Sequence, residues 1–164
     1  MKWDEVSKPQ CSVARSSAVL GDRWTLLILS DCFLGVRNFD QFQDRLEIPR
    51  TTLANRLQKL IEHDVLYRKK YRTSPDRFEY RLTEKGRDLY PVLSTILNWG
   101  DKYYAEAAGP PILRQHMPCG HDIQPVLQCP ECETAVDAHN IHARIRPHHD
   151  SCPDVNRGPV LRHG

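Results

Sequence analysis

The chain has 164 residues, 40% hydrophobic and 27% charged, with a formal net charge of +2, an ordinary globular composition with room for one domain and a small addition. No apolar run approaches the roughly 18 residues needed to cross a bilayer, and Met1-Lys2-Trp3-Asp4-Glu5 lacks the apolar core of a secretory signal, so a cytoplasmic protein without a membrane partner is expected. Charge is unevenly placed: Val36 to Arg87 holds 13 Lys/Arg against 8 Asp/Glu, a basic middle third of the kind that meets a polyanion. The 6 cysteines, in a chain with no secretory signal, point to metal or redox chemistry rather than to a disulfide framework.

Ser12 to Leu20 reads as a short helix stopped by Gly21. Asp22 caps the next, which runs from Arg23 towards Phe33 and ends near Gly35; it is apolar almost all round, as a central buried helix would be. Phe39, Phe42 and Leu46 fall at i, i+3 and i+7 and predict a third short helix. After Glu47-Ile48-Pro49 comes an amphipathic helix from about Arg50 to His63, with Leu53, Leu57, Leu60 and Ile61 as its buried stripe. Thr52, Asn55, Lys59 and, at the flank, Arg56 lie opposite, side chains suited to base edges and phosphates. Asp64 ends this helix as one of the few residues that tolerate the left-handed conformation.

Val65 to Arg72 and Phe78 to Thr83 alternate as two strands, joined by the turn-forming Thr73-Ser74-Pro75-Asp76-Arg77. The result is a β-hairpin with a basic tip. Thr83 then caps a long helix, expected to reach about Ala107. It carries two apolar stripes, Leu89, Leu93, Ile96, Gly100 and Tyr103 on one line and Tyr90, Leu97 and Tyr104 on another. One stripe serves the domain, and the economical partner for the second is another copy of the chain.

Short helix, turn, polar-faced helix and basic hairpin, in that order, make a winged helix-turn-helix. The fold class is thus mainly α with a small β-hairpin wing. One helix fits the major groove, and the hairpin sets cations against the backbone or minor groove. The expected domain of DNA binding and dimerisation covers residues 1–108.

Cys11-Ser12-Val13-Ala14-Arg15 through Gly21-Asp22-Arg23-Trp24 resembles the opening of the HxlR family of transcriptional regulators. Phe39-Asp40-Gln41-Phe42 and Arg50-Thr51-Thr52-Leu53-Ala54-Asn55-Arg56-Leu57 do so too, and Phe78 to Leu89 (FEYRLTEKGRDL) is the most specific match. The resemblance covers roughly Cys11 to Tyr104. It implies a homodimer on double-stranded operator DNA, responsive to an oxidant, electrophile or small-molecule effector and acting as a repressor. Carried onto this chain, the recognition-helix residues are Arg50, Thr51, Thr52, Asn55, Arg56 and Lys59, and the wing residues are Lys70, Arg72, Ser74 and Arg77. One departure is the turn Leu46-Glu47-Ile48-Pro49, shorter than in many members and without a polar cap, which leaves the helix start open by a residue or two. Some members sense oxidants through a cysteine where Cys11 stands; the plainer reading is an inert thiol packed near the dimer interface. Cys32, inside an apolar helix, reads as a small core residue.

Gly109-Pro110-Pro111 marks a boundary. Beyond it, His116-Met117-Pro118-Cys119 and Cys129-Pro130-Glu131-Cys132 are two short knuckles separated by nine residues, a zinc-ribbon-like spacing over residues 109–142. Four N/S ligands close a structural zinc site, with His116 favoured by symmetry and His121, His139 and His142 as alternatives. So few apolar residues lie in this segment that ligation would substitute for a core. Reduced thiols, or a redox pair of Cys129 and Cys132, are the competing readings. Residues 143–164 lack periodicity and read as a flexible tail.

An enzyme is not expected, because no acid/base or nucleophile–base pair stands at recognisable spacing. The alternative to a regulator is a winged-helix protein-interaction module with a zinc-stabilised docking segment, against which the basic wing tip argues.

Overall fold

The computed structural model describes residues 11–73 and 76–142, so the expected tail lies outside the described residues. Helices α1 (Ser12–Leu20), α2 (Arg23–Phe33), α3 (Phe39–Leu46) and α4 (Arg50–Glu62) lead into strands β1 (Leu66–Thr73) and β2 (Asp76–Leu82). Short α5 (Glu84–Arg87), longer α6 (Tyr90–Tyr104) and two-residue strands β3 (Gln115–His116) and β4 (His121–Asp122) complete the described chain.

The core is made where α2, α3 and α4 meet the base of the hairpin. Ile28 and Leu29 of α2, Phe42 of α3, Leu53, Leu57 and Leu60 of α4, and Val65 and Leu66 at the start of β1 are all buried. Ile48, in the turn between α3 and α4, is buried with them and pins the two helices at a fixed angle. Glu47 takes the left-handed conformation, φ 49°, to make this turn, and α4 starts at Arg50 with Pro49 as its cap residue and no side-chain cap bond. The start left open by the short turn is therefore Arg50. Asp64 adopts the expected left-handed conformation, φ 56°.

Asp22 caps α2 as expected, its Oδ1 accepting from the N–H groups of Trp24 at 3.0 Å and Thr25 at 3.3 Å. α2 is the central helix expected from its apolar sequence, though not buried on every face. It buries one face through Thr25, Ile28, Leu29 and Asp31, while Leu27 is 45% exposed.

The antiparallel hairpin pairs Leu66 with Leu82 and Thr73 with Asp76, with a bulge between Lys70 and Arg72. Its base is tied to α5. The Thr83 hydroxyl donates to the Asp64 carbonyl at 2.7 Å and accepts from the Gly86 N–H at 3.0 Å. A side chain at Gly86 would collide with the Val65 carbonyl oxygen and Leu82, so only glycine allows this approach.

The single long helix expected from Thr83 is corrected: it breaks after Arg87 and restarts at Tyr90, with Pro91 in the first turn of α6. Proline has no N–H to give to the preceding turn, and its ring clashes with the carbonyl four residues back, whereas the first turn of a new helix accommodates it. Beyond α6, Arg114 Nη2 meets Asp101 Oδ2 at 3.1 Å and attaches the following segment to the helix.

Candidate nucleic-acid interface

Three charged contacts tie the helices together, two of them from α4 itself. Asp31, buried in α2, receives Arg45 of α3 through two bonds at 3.2 and 3.0 Å. Asp22 receives Arg56 of α4 through bonds of 2.8 and 3.0 Å, one to each carboxylate oxygen. Lys59 Nζ donates to the Ala18 carbonyl at 2.7 Å, one of the last carbonyls of α1, which a helix end leaves without an internal partner. The head groups of Arg56 and Lys59, both expected at the DNA, are thus engaged by the protein itself. Each sits on the flank of α4, where a long side chain reaches the neighbouring helix as readily as the solvent.

Of the residues expected at the DNA, α4 leaves Arg50, Thr51 and Asn55 exposed, with Thr52 half-buried. Arg50 stands over the Phe39 ring at 4.6 Å, with Gln43 at 3.3 Å and Asp40 at 3.7 Å from its Nη1. These surface contacts hold the guanidinium at the junction of α3 and α4.

Towards its tip the wing pairs one cation and leaves two without an acidic partner among the described residues. Lys70 pairs with Asp76 at 2.6 Å, while Arg72 and Arg77 face each other across the strands, both exposed and without an acidic partner among the described residues. Ser74 lies outside the described residues. The hairpin is braced from below, since Tyr80 N–H donates to the Arg37 carbonyl at 2.8 Å and the Tyr80 ring meets Phe42 edge-on at 6.4 Å. Arg50 and Arg77 line one cleft between helix and wing together with Tyr71. Sequence reasoning did not select Tyr71. It stands in the bulge, and nothing in the residue pattern announces an irregularity that breaks alternation.

The cysteines separate by environment. Cys11 is exposed as the cap residue of α1. Burial, with the neighbouring Asp31 charge second, pushes the Cys32 thiol up to about 12, which agrees with a core role and removes it from thiolate chemistry. In the last segment the four expected ligands form two pairs. His116 Nδ1 is 3.1 Å from Cys119 Sγ, and Cys132 is hydrogen-bonded to Thr134 at 3.0 Å with Cys129 beside it. Among the described residues no three His, Cys, Asp or Glu side chains converge on one point. No helix there is long and apolar enough to cross a membrane.

Comparison with known proteins gives this geometry its context. The family model for the HxlR-like helix-turn-helix matches residues 19–108. An uncharacterized HTH-type transcriptional regulator of Mycobacterium tuberculosis is 45% identical over 130 residues, covering 79% of this chain and 82% of that protein. YdeP of Bacillus subtilis, likewise described as an HTH-type transcriptional regulator, is 32% identical over 94 residues, or 57% of this chain and 73% of its own. The crystal structure of PA1607 superposes with a TM-score of 0.76 at 30% identity, over 85% of this chain and 98% of the other. The reduced form of the redox regulator HypR superposes at 0.53 with 27% identity, over 56% and 92%. A helix-turn-helix braced by charged contacts, a wing beside it and a family match over more than half the chain lead to one conclusion: the protein belongs to the HxlR-like helix-turn-helix family, and is a transcriptional regulator rather than an enzyme.

Proposed function

We propose that the protein is a sequence-specific repressor that binds duplex operator DNA as a homodimer and is released or retuned by an oxidant or another small effector. The observation that carries this reading is the exposed row Arg50, Thr51 and Asn55 on α4, of which Arg50 shares one cleft with Arg77 on the wing. A helix of this kind enters the major groove, where Arg reads guanine and Asn reads adenine, while the wing cations grip phosphate. Arg56 and Lys59, committed to Asp22 and Ala18, position the reading helix.

The homodimer is supported by α6 and α1. Ile96 is 44% exposed, Trp99 56% and Tyr103 59%, and Val13 on α1 is 72% exposed, more apolar surface than a monomer leaves to water without a use. The oxidant reading is supported by Cys11, exposed at the start of α1, and by the similarity to a redox regulator. Disulfide or sulfenate formation at that thiol would disturb α1, against which Lys59 anchors α4.

Gel-shift titration with promoter fragments tests the reading. Operator fragments are expected to bind with an affinity that falls steeply as salt rises. Diamide is expected to shift that affinity in the native protein and not in Cys11→Ser. Affinity indifferent to salt and to fragment sequence overturns the regulator mechanism; an equal diamide response in Cys11→Ser overturns the sensing residue alone.

A further inference from the structure

We propose that His116, Cys119, Cys129 and Cys132 close on a single zinc ion, and that His116 is its nitrogen ligand. The first support is that the two knuckles share one backbone design. The first is flanked by the antiparallel pair His116 and His121, the second by Gln128 and Ala135. In the first, the Cys119 and Gly120 N–H groups donate to the His116 carbonyl at 3.2 and 2.7 Å. In the second, the Glu133 N–H donates to the Cys129 carbonyl at 2.9 Å.

The residue after the second ligand is left-handed in both, Gly120 at φ 71° and Glu133 at φ 56°. For glycine that conformation is free; for glutamate it is a strain that persists only where the surroundings demand it. Two turns unrelated in sequence, apart from their ligands and a proline, have been bent into the same shape.

Within each turn the ligand atoms are already paired, His116 Nδ1 with Cys119 Sγ at 3.1 Å and Cys129 with Cys132. That contact with Cys119 is made by His116 and not by His121, its partner across β3 and β4. It separates His116 also from His139, whose N–H donates to Asp137 in a turn of its own.

The second support is what the segment lacks. From residue 109 to 142 no residue is buried, and only Gly109, Arg114, Pro125, Cys129 and Val136 are half-buried. Apolar burial does not hold these turns, and among the described residues no third ligand meets either pair. One tetrahedral ion with an N/S3 ligand set joins them and supplies the missing cross-link. Its binding releases the three thiol protons to solvent and leaves all four positions occupied by protein, so the ion is structural.

The experiment uses the full-length reduced chain, its bound zinc measured by elemental analysis and its site probed with cobalt(II). About one zinc per chain is expected, with the visible cobalt bands of a tetrahedral thiolate site. His116→Ala and Cys132→Ser are expected to weaken binding at least about 100-fold, since even residues that merely support a ligand are worth 10–100-fold. His121→Ala, His139→Ala and His142→Ala are expected to leave it unchanged. His116→Cys should keep the metal and move the cobalt spectrum to that of four sulfurs. Reduced protein that takes up neither metal overturns the site, as does full retention in Cys132→Ser. Full retention in His116→Ala overturns the ligand assignment. Helix content by circular dichroism reports that the winged-helix core is folded in each variant, and no readout depends on DNA.

Discussion

Asp22 does two things with one carboxylate. It caps α2 through the Trp24 and Thr25 N–H groups, and it holds Arg56 of the reading helix through both oxygens. The hydrogen bond from Arg56, opposed by partial burial and helped by the guanidinium charge, holds its carboxyl below the ordinary 3.8. A carboxylate whose pKa is depressed on folding contributes stability that is complete above the unfolded value and lost as pH falls through the folded one. Asp22→Asn keeps an oxygen for the cap and loses the charge. Adding a weakened cap to a half-exposed ion pair gives an expected loss of about 1–2 kcal/mol at pH 7. Urea midpoints should show that difference constant down to about pH 5 and closing below pH 4. A gap that persists into strong acid would mean that the ionised carboxylate is not what Arg56 recognises.

At the scale of the elements, the wing and its hinge make separate predictions. Arg72 and Arg77 project near the tip without acidic partners among the described residues, whereas Lys70 is held by Asp76. Arg77→Ala is therefore expected to lower the slope of log affinity against log salt by about one for each bound protomer, with similar losses on specific and non-specific DNA. Lys70→Ala is expected to change it less. Equal slopes for Arg77→Ala and the native protein would detach the wing from the phosphates. At the hinge, a methyl at Gly86 meets the Val65 carbonyl, a backbone atom that cannot rotate away. Gly86→Ala should cost about 1–3 kcal/mol or more, read as a fall in thermal midpoint; an unchanged midpoint would show that α5 is free to shift off the hairpin. These elements also show what the residue pattern made legible. The boundaries of α1 and α2, the Asp22 cap, the stripe of α4 and the left-handed Asp64 follow from local spacing and propensity, which act over a single turn. The break before Pro91 was written in the sequence too, and apolar periodicity on both sides of it outweighed the signal. The inward turn of Arg56 and Lys59 was not legible. It depends on where α1 and α2 end in space, and an Arg on the flank of a helix carries no mark of whether a carboxylate 34 residues earlier stands within reach.

For the whole molecule, the proposed dimer assigns to the apolar surface of α6 the presentation of two α4 helices to DNA. Leu93 and Ser94 face the core, and the remainder of the helix leaves Val92, Ile96, Trp99, Tyr103 and Tyr104 at 44% to 72% exposure. Trp99 packs on Tyr103 at 5.6 Å and on Tyr104 at 5.3 Å, which gathers the rings into one patch on the last turns of the helix. A stable interface needs about 800 Å² from each partner. An aromatic cluster of this size supplies the anchors, and the exposed Val13 on α1 adds to the apolar surface. Ile96→Glu with Trp99→Glu places like charges against each other across any two-fold contact made by this face, while removing nothing from the core. The double variant is expected to sediment as a monomer with unchanged helix content. Its operator affinity should fall by about 10²–10⁴-fold, because two half-sites are no longer engaged through one tethered pair. Binding to non-specific DNA of one half-site length should fall far less, since each wing and reading helix remains intact. A variant that still sediments as a dimer places the interface elsewhere on the molecule, and a monomer that keeps full operator affinity removes the paired-helix mode of reading.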